Sequence, residues 1–110
     1  MFASFLFSTL RYANLRFSDL RNADLSNADL SNAYLCVSYL CYADLRNSDL
    51  RNADLRNADL RNADLTEARL SDEYLPEIHW NDKTQWQGVK GLESAIGVPE
   101  ALKRQLGLGD

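Results

Sequence analysis

The sequence has 110 residues, 45% apolar and 25% charged, with a formal net charge of −4. That length holds one domain, or one domain with a tail, and the acidic balance excludes a strongly basic nucleic-acid binder and disfavours direct DNA binding. No stretch nears the roughly 18 consecutive apolar residues of a spanning helix, so no membrane partner is expected.

The opening Met1–Phe7 is apolar but short and follows no positive charge, a poor secretory leader. With two cysteines and no leader, a reducing cytoplasm and free thiols are the expectation. From there the chain repeats itself. Leucine occupies every fifth position from Leu10 to Leu75, with Phe5 one step earlier. Ala or Ser stands two residues before each, except at Glu73. Asp commonly precedes the leucine and Arg-Asn commonly follows it, so the unit is Ala-Asp-Leu-Arg-Asn over residues 3–75.

Period five fits no straight element. On an α-helix, leucines five apart step by about 140° and spiral around all sides; on a strand they alternate faces. The pattern works if the chain turns one corner per repeat, always in the same sense. Four corners close a square coil of about twenty residues, with leucine and the small residue inside. Asn suits the corner because its short side chain tolerates left-handed backbone. The leucines then stack in ladders, Leu20, Leu40 and Leu60 on one side and Leu25, Leu45 and Leu65 on the next. Nearly four coils at a strand spacing of about 4.8 Å make a rod roughly 18 Å long.

A rod has two ends that need covering. At the front, Phe2, Phe5, Leu6 and Phe7 crowd an apolar end, which predicts self-association, or else a chain that is part of a longer one. Outside the rod, Asp24, Asp44 and Asp64 fall in one row and Asp29 and Asp49 in another, read as solvated, turn-stabilising rows and not as a metal site. The row of residues following leucine alternates arginine with small residues, as in Arg11–Ser31–Arg51–Ser71 and Arg21–Cys41–Arg61, which spaces the guanidinium groups. Cys36 and Cys41 share this outward position on adjacent sides, too far apart for an intramolecular disulfide, and no base accompanies either thiol.

The sharpest irregularity is aromatic. Tyr34, Val37, Tyr39 and Tyr42 stand where Asp and Asn normally do, and Phe17 lies one coil above Val37. They form a candidate interaction patch, because exposed tyrosines favour protein contacts. Self-association, coverage by the tail and an unidentified protein partner are the three expected uses.

Pro76 ends the period, and residues 76–91 read as an irregular segment. One helical turn is expected over 91–97 and a firmer helix after it, with Pro99 and Glu100 at its start, Lys103 and Arg104 in its last turn and Gly107 as its stop. Residues 76–110 are thus expected to cap the bottom coil with Leu92, Ile96, Leu102 and Leu106, anchored by Trp80 or Trp86.

The iterated run at 43–47 and 51–65 resembles the pentapeptide-repeat family. Trp80 to Trp86 and the helical tail resemble the C-termini of its cyanobacterial members, whereas Arg69 and Glu73 depart from the repeat. The resemblance implies an all-β solenoid, a right-handed quadrilateral β-helix of about four coils with a short α-helical C-terminal cap. Its handedness rests on the resemblance and not on the period. With no concave cluster of polar groups, no phosphate loop and a lone His79 in the tail, neither catalysis nor a cofactor or metal is expected. The function expected is a structural or protein-interaction module, and a homo-oligomer built through the N-terminal end or the tyrosine patch. The alternative comes from the resemblance, since some members mimic duplex DNA and bind DNA gyrase. Residues 1–75 carry eleven acidic groups against eight arginines, far short of the charge density of DNA.

Overall fold

The structure, a computed structural model, describes residues 4–70, 78–91 and 98–107. Its backbone coils with a repeat of twenty residues. Parallel bridges join Ser4 to Asp24, Asp24 to Asp44 and Asp44 to Asp64, and equivalent columns run down the other sides. The residue before each leucine points both its N–H and its C=O at the coil above: Asp29 donates to the Ser8 carbonyl at 2.9 Å and accepts from the Leu10 amide at 2.7 Å. This pairing sets the register.

The corners are turns closed from the small residue back to leucine, as in Ala28 N–H to the Leu25 carbonyl at 3.1 Å. Their third residue has positive φ, which is the type II signature. Among the described residues, all thirteen non-glycine residues with positive φ, from Phe7 to Glu67, fall in that slot, two after the central leucine or, at Phe7, after Phe5. Seven of them are Asn, so the corner follows from the residue that tolerates it.

Inside the coil, every leucine of the series from Leu25 to Leu70 is fully buried, and so are the alanines beside them. Where Ser38 and Ser48 replace alanine, their hydroxyls donate to the Leu35 and Leu45 carbonyls at 2.6 and 2.7 Å, so neither buried hydroxyl is stranded. Both expected ladders are thus in the core, with Leu20 at its upper edge and Phe5, Leu10 and Leu15 only partly buried above it.

The boundary expected at Leu75 needs correction. Bridges from Asp59 to His79, Asp64 to Gln85 and Arg69 to Lys90 carry the ladder through the stretch expected to be irregular. Ile78 and Thr84 take the small inward slot, and Trp86 takes a leucine slot, buried in the core. The pairing offset grows from 20 to 21 residues across Asn81–Thr84, a one-residue insertion. Asn81 accommodates it: its side-chain oxygen accepts the Asn62 amide at 3.0 Å, and its own amide is held by the Thr84 hydroxyl. The sequence hid this coil because Trp, Thr and Ile replace Leu and Ala while the phase slips.

The tail's helix is α1, Glu100–Gln105, with Glu100 in its first turn and Lys103 and Arg104 in its last. Gly107 follows with φ of 71°. Leu102 is fully buried, Val98 joins the same core and Leu106 packs against it. Trp80 is partly buried and donates from its indole nitrogen to the Gln105 side chain at 3.0 Å, which ties the helix to the coil. Trp86 belongs to the coil itself, and Leu92 and Ile96 lie outside the described residues.

Candidate interaction surface

The ordinary repeat neutralises its own charge. The carboxylate before leucine accepts the backbone N–H two residues on, an Asx-type turn. Where arginine stands there, its guanidinium folds back onto the same carboxylate. At Asp54, Arg56 donates its backbone N–H at 3.2 Å, Nε at 2.9 Å and Nη2 at 2.6 Å. Five such forks occur among the described residues, at Asp19, Asp44, Asp49, Asp54 and Asp59. Ser26, Ser31 and Thr66 make the same turn with a hydroxyl in place of the guanidinium. The side-chain hydrogen bond from Arg61, opposed by burial, holds the Asp59 carboxyl at about 2. The guanidinium after leucine thus neutralises the carboxylate of its own repeat, a pairing that sequence reasoning did not specify. With each carboxylate engaged by its own repeat, no three His, Cys, Asp or Glu among the described residues converge as a metal site.

The predicted patch falls where this chemistry is missing. Tyr34 and Tyr39 replace the carboxylate, so the backbone N–H groups of Cys36 and Cys41 have no protein acceptor among the described residues. Val37 (φ 57°) and Tyr42 (φ 64°) replace Asn at the left-handed corner, as Phe17 (φ 63°) does one coil above. A β-branched residue at positive φ is a conformational outlier.

The side chains point out. Phe17 is 72% exposed, Tyr42 62%, Tyr39 51% and Tyr34 44%, so the described part of the tail does not cover them. Val37 is half-buried. The bridges place Tyr34 between Asn14 and Asp54 on one side of the coil, and Tyr39 between Asp19 and Asp59 on the next. Phe17 and Val37 mark the corner between these two sides. Arg16, with Asn14 in place of a carboxylate partner, lies over the Tyr34 ring at 5.4 Å from its centroid. At Tyr39 the surface sinks into an open hollow of about 580 Å³, lined by Val37, Ser38, Tyr39 itself, Asn57, Asp59, Arg61 and His79. Phe7 and Tyr12, 71% and 66% exposed, extend the apolar surface toward the first coil. They sit in the corner slot, and reading that slot alone along the sequence would have found them.

The comparisons with known proteins agree with this geometry. The family profile for pentapeptide repeats matches eight copies over residues 2–36 and 38–72. The chain belongs to the pentapeptide repeat family. A crystal structure of a pentapeptide repeat protein from the cyanobacterium Cyanothece superposes with a TM-score of 0.82 at 29% identity, covering 86% of this chain and 64% of that one. A second, from the Arabidopsis thaliana thylakoid lumen, superposes with a TM-score of 0.84 at 23% identity, covering 94% of this chain and 74% of that one. No curated protein matches the sequence. The pentapeptide repeat family implies the right-handed quadrilateral β-helix for these coils.

Within that frame the two cysteines are quiet. Both are free and partly buried. Burial, then a hydrogen bond to the Asp59 carboxylate, pushes the Cys41 thiol up, away from the nucleophilic thiolate. His79 stacks below Asp59 as the next rung of the same column.

Proposed function

We propose that this pentapeptide repeat protein is a non-enzymatic protein-interaction module whose contact surface is the patch of Phe17, Tyr34, Val37, Tyr39 and Tyr42. One observation carries the reading. At four neighbouring positions of the second coil the sequence gives up residues that the local backbone favours, and it puts there the exposed Tyr34, Tyr39 and Tyr42 and the half-buried Val37 instead. Aromatic rings of that kind contribute large contact area with few rotatable bonds, the usual anchors of interfaces. The third coil, from Asp44 to Ala63, keeps to the consensus and carries four Asp–Arg forks. It is a neutral scaffold.

That neutrality weighs against the alternative, a mimic of duplex DNA that binds gyrase, because a mimic needs unneutralised negative charge along its surface. The module reading is tested by affinity capture from host lysate with the native chain and with a Tyr34→Asn, Tyr39→Asp, Tyr42→Asn variant. The expected result is a protein held by the native chain and lost by the variant. Equal capture by both baits refutes the patch.

A further inference from the structure

Among the described residues the stack ends on the coil of residues 4–23, and that coil differs from the third at matched positions. In the third coil all four corners read Arg-Asn, and all four carboxylates are forked. The end coil keeps arginine at three corners, as Arg11, Arg16 and Arg21. At three corners it puts an exposed ring, Phe7, Tyr12 or Phe17, where the third coil has Asn. It also replaces three of the four carboxylates, with Ser4, Thr9 and Asn14. Its net charge is therefore +2, against −2 in the second coil and zero in the third.

The cations of this end are poorly compensated. Arg21 forks Asp19, but Arg16 donates its Nε to the neutral Asn14 side chain at 3.0 Å. Arg11 reaches only Asp29 of the next coil, at 3.8 Å, with both side chains exposed. The centre of the end is apolar, because Phe5, Leu10 and Leu15 are only partly buried, unlike the leucines from Leu25 to Leu70. Around that centre the N–H groups of Thr9, Asn14 and Asp19 have no carbonyl above them among the described residues.

These groups match the layers of an anionic membrane surface. Aromatic rings settle at headgroup level, guanidinium groups pair with lipid phosphates, and an apolar centre faces the acyl boundary. The open backbone edge keeps the contact shallow, since unpaired N–H groups are not carried into hydrocarbon. Shape weighs against a linear partner. The rings stand at successive corners of a square, so a flat surface met end-on touches all three, whereas a strand lying along one side meets two at most. We infer that the coil of residues 4–23 docks the rod end-on against a leaflet rich in anionic lipid. The contact needs no spanning helix, so the lack of one among the described residues does not weigh against it. Resting on three arginines, it is reversible and sensitive to salt.

Co-sedimentation of the full chain with vesicles tests it. The vesicles are phosphatidylcholine alone, or with about 30% phosphatidylglycerol, at about 50 and about 500 mM salt. The expected result is binding to the anionic vesicles at low salt, at least ~10-fold weaker on neutral vesicles or at high salt. A Phe7→Asn, Tyr12→Asn variant returns the corner residue that positive φ favours, so it keeps its circular dichroism and loses at least ~10-fold in binding. The Tyr34→Asn, Tyr39→Asp, Tyr42→Asn variant, changed only in the second coil, binds as the native chain does. No binding, equal binding to both vesicles, or full binding by Phe7→Asn, Tyr12→Asn overturns the inference. Loss of binding in the second-coil variant also overturns it, by moving the contact to the side of the rod. So does tighter binding of an unstructured oligonucleotide at the same salt, which assigns the rings and arginines to nucleic acid. Vesicle binding and capture from lysate are tested by different residues, so the two readings fail separately.

Discussion

At the scale of the residue, each repeat assigns one task to each of its slots. Leucine fills the core, the small residue lets the coils close, the carboxylate fixes the next amide, arginine neutralises it, and Asn takes the left-handed corner. The carboxylates give this a pH signature. Asp59 titrates at about 2 in the folded chain against an ordinary 3.8, and Asp44, Asp49 and Asp54 are lowered by the same arginine hydrogen bonds. A carboxyl whose pKa is depressed by folding contributes its full stability above the unfolded value, and loses it as pH falls toward the folded one. Unfolding monitored by circular dichroism should therefore show stability falling between about pH 4 and pH 2. Asp59→Asn should remove part of that slope at a cost of about 1 kcal/mol at neutral pH, a figure discounted because its arginine partner is solvent-exposed.

At the scale of the element, the coil was legible and its lower end was not. A period of five, with leucine and alanine always in phase, points to a square solenoid with its inward residues in place. Helix α1 was equally readable, because Pro99, Glu100, Lys103, Arg104 and Gly107 are ordinary terminus signals. The coil spanning 78–90 was missed because a one-residue insertion at Asn81–Thr84 shifts the phase and tryptophan stands in for leucine. The arginine forks were missed for a different reason: a spacing of two residues shows no periodic signal, and only the turn brings the guanidinium back to the carboxylate. Stability should follow depth in the stack. Leu45 is fully buried between coils, whereas Leu15 in the first coil is only partly buried. Urea unfolding should show Leu45→Ala losing about 3–5 kcal/mol and Leu15→Ala distinctly less. Equal losses would mean that the first coil is buried as deeply as the third.

At the scale of the whole molecule, the chain with its tail measures 40 × 25 × 23 Å, and the surface of the coils is divided along their stack. The third coil is consensus and charge-balanced, while the first two carry the exposed Phe7, Tyr12, Phe17, Tyr34, Tyr39 and Tyr42. That Tyr34, Tyr39 and Tyr42 face outward was readable from sequence, because a strict repeat makes every departure visible. The shape of the patch was not: the hollow at Tyr39 depends on side chains from three coils, including His79 in the coil whose phase had slipped. The central claim is that these apolar residues serve contact and not folding. Equilibrium urea unfolding of a Val37→Asn, Tyr42→Asn variant, in dilute solution, tests it most directly. Both substitutions return the corner residue that positive φ favours, so the account predicts a gain of about 1–2 kcal/mol and a higher midpoint at unchanged slope. A lower midpoint would contradict it, because Val37 and Tyr42 would then be part of what holds the coil together.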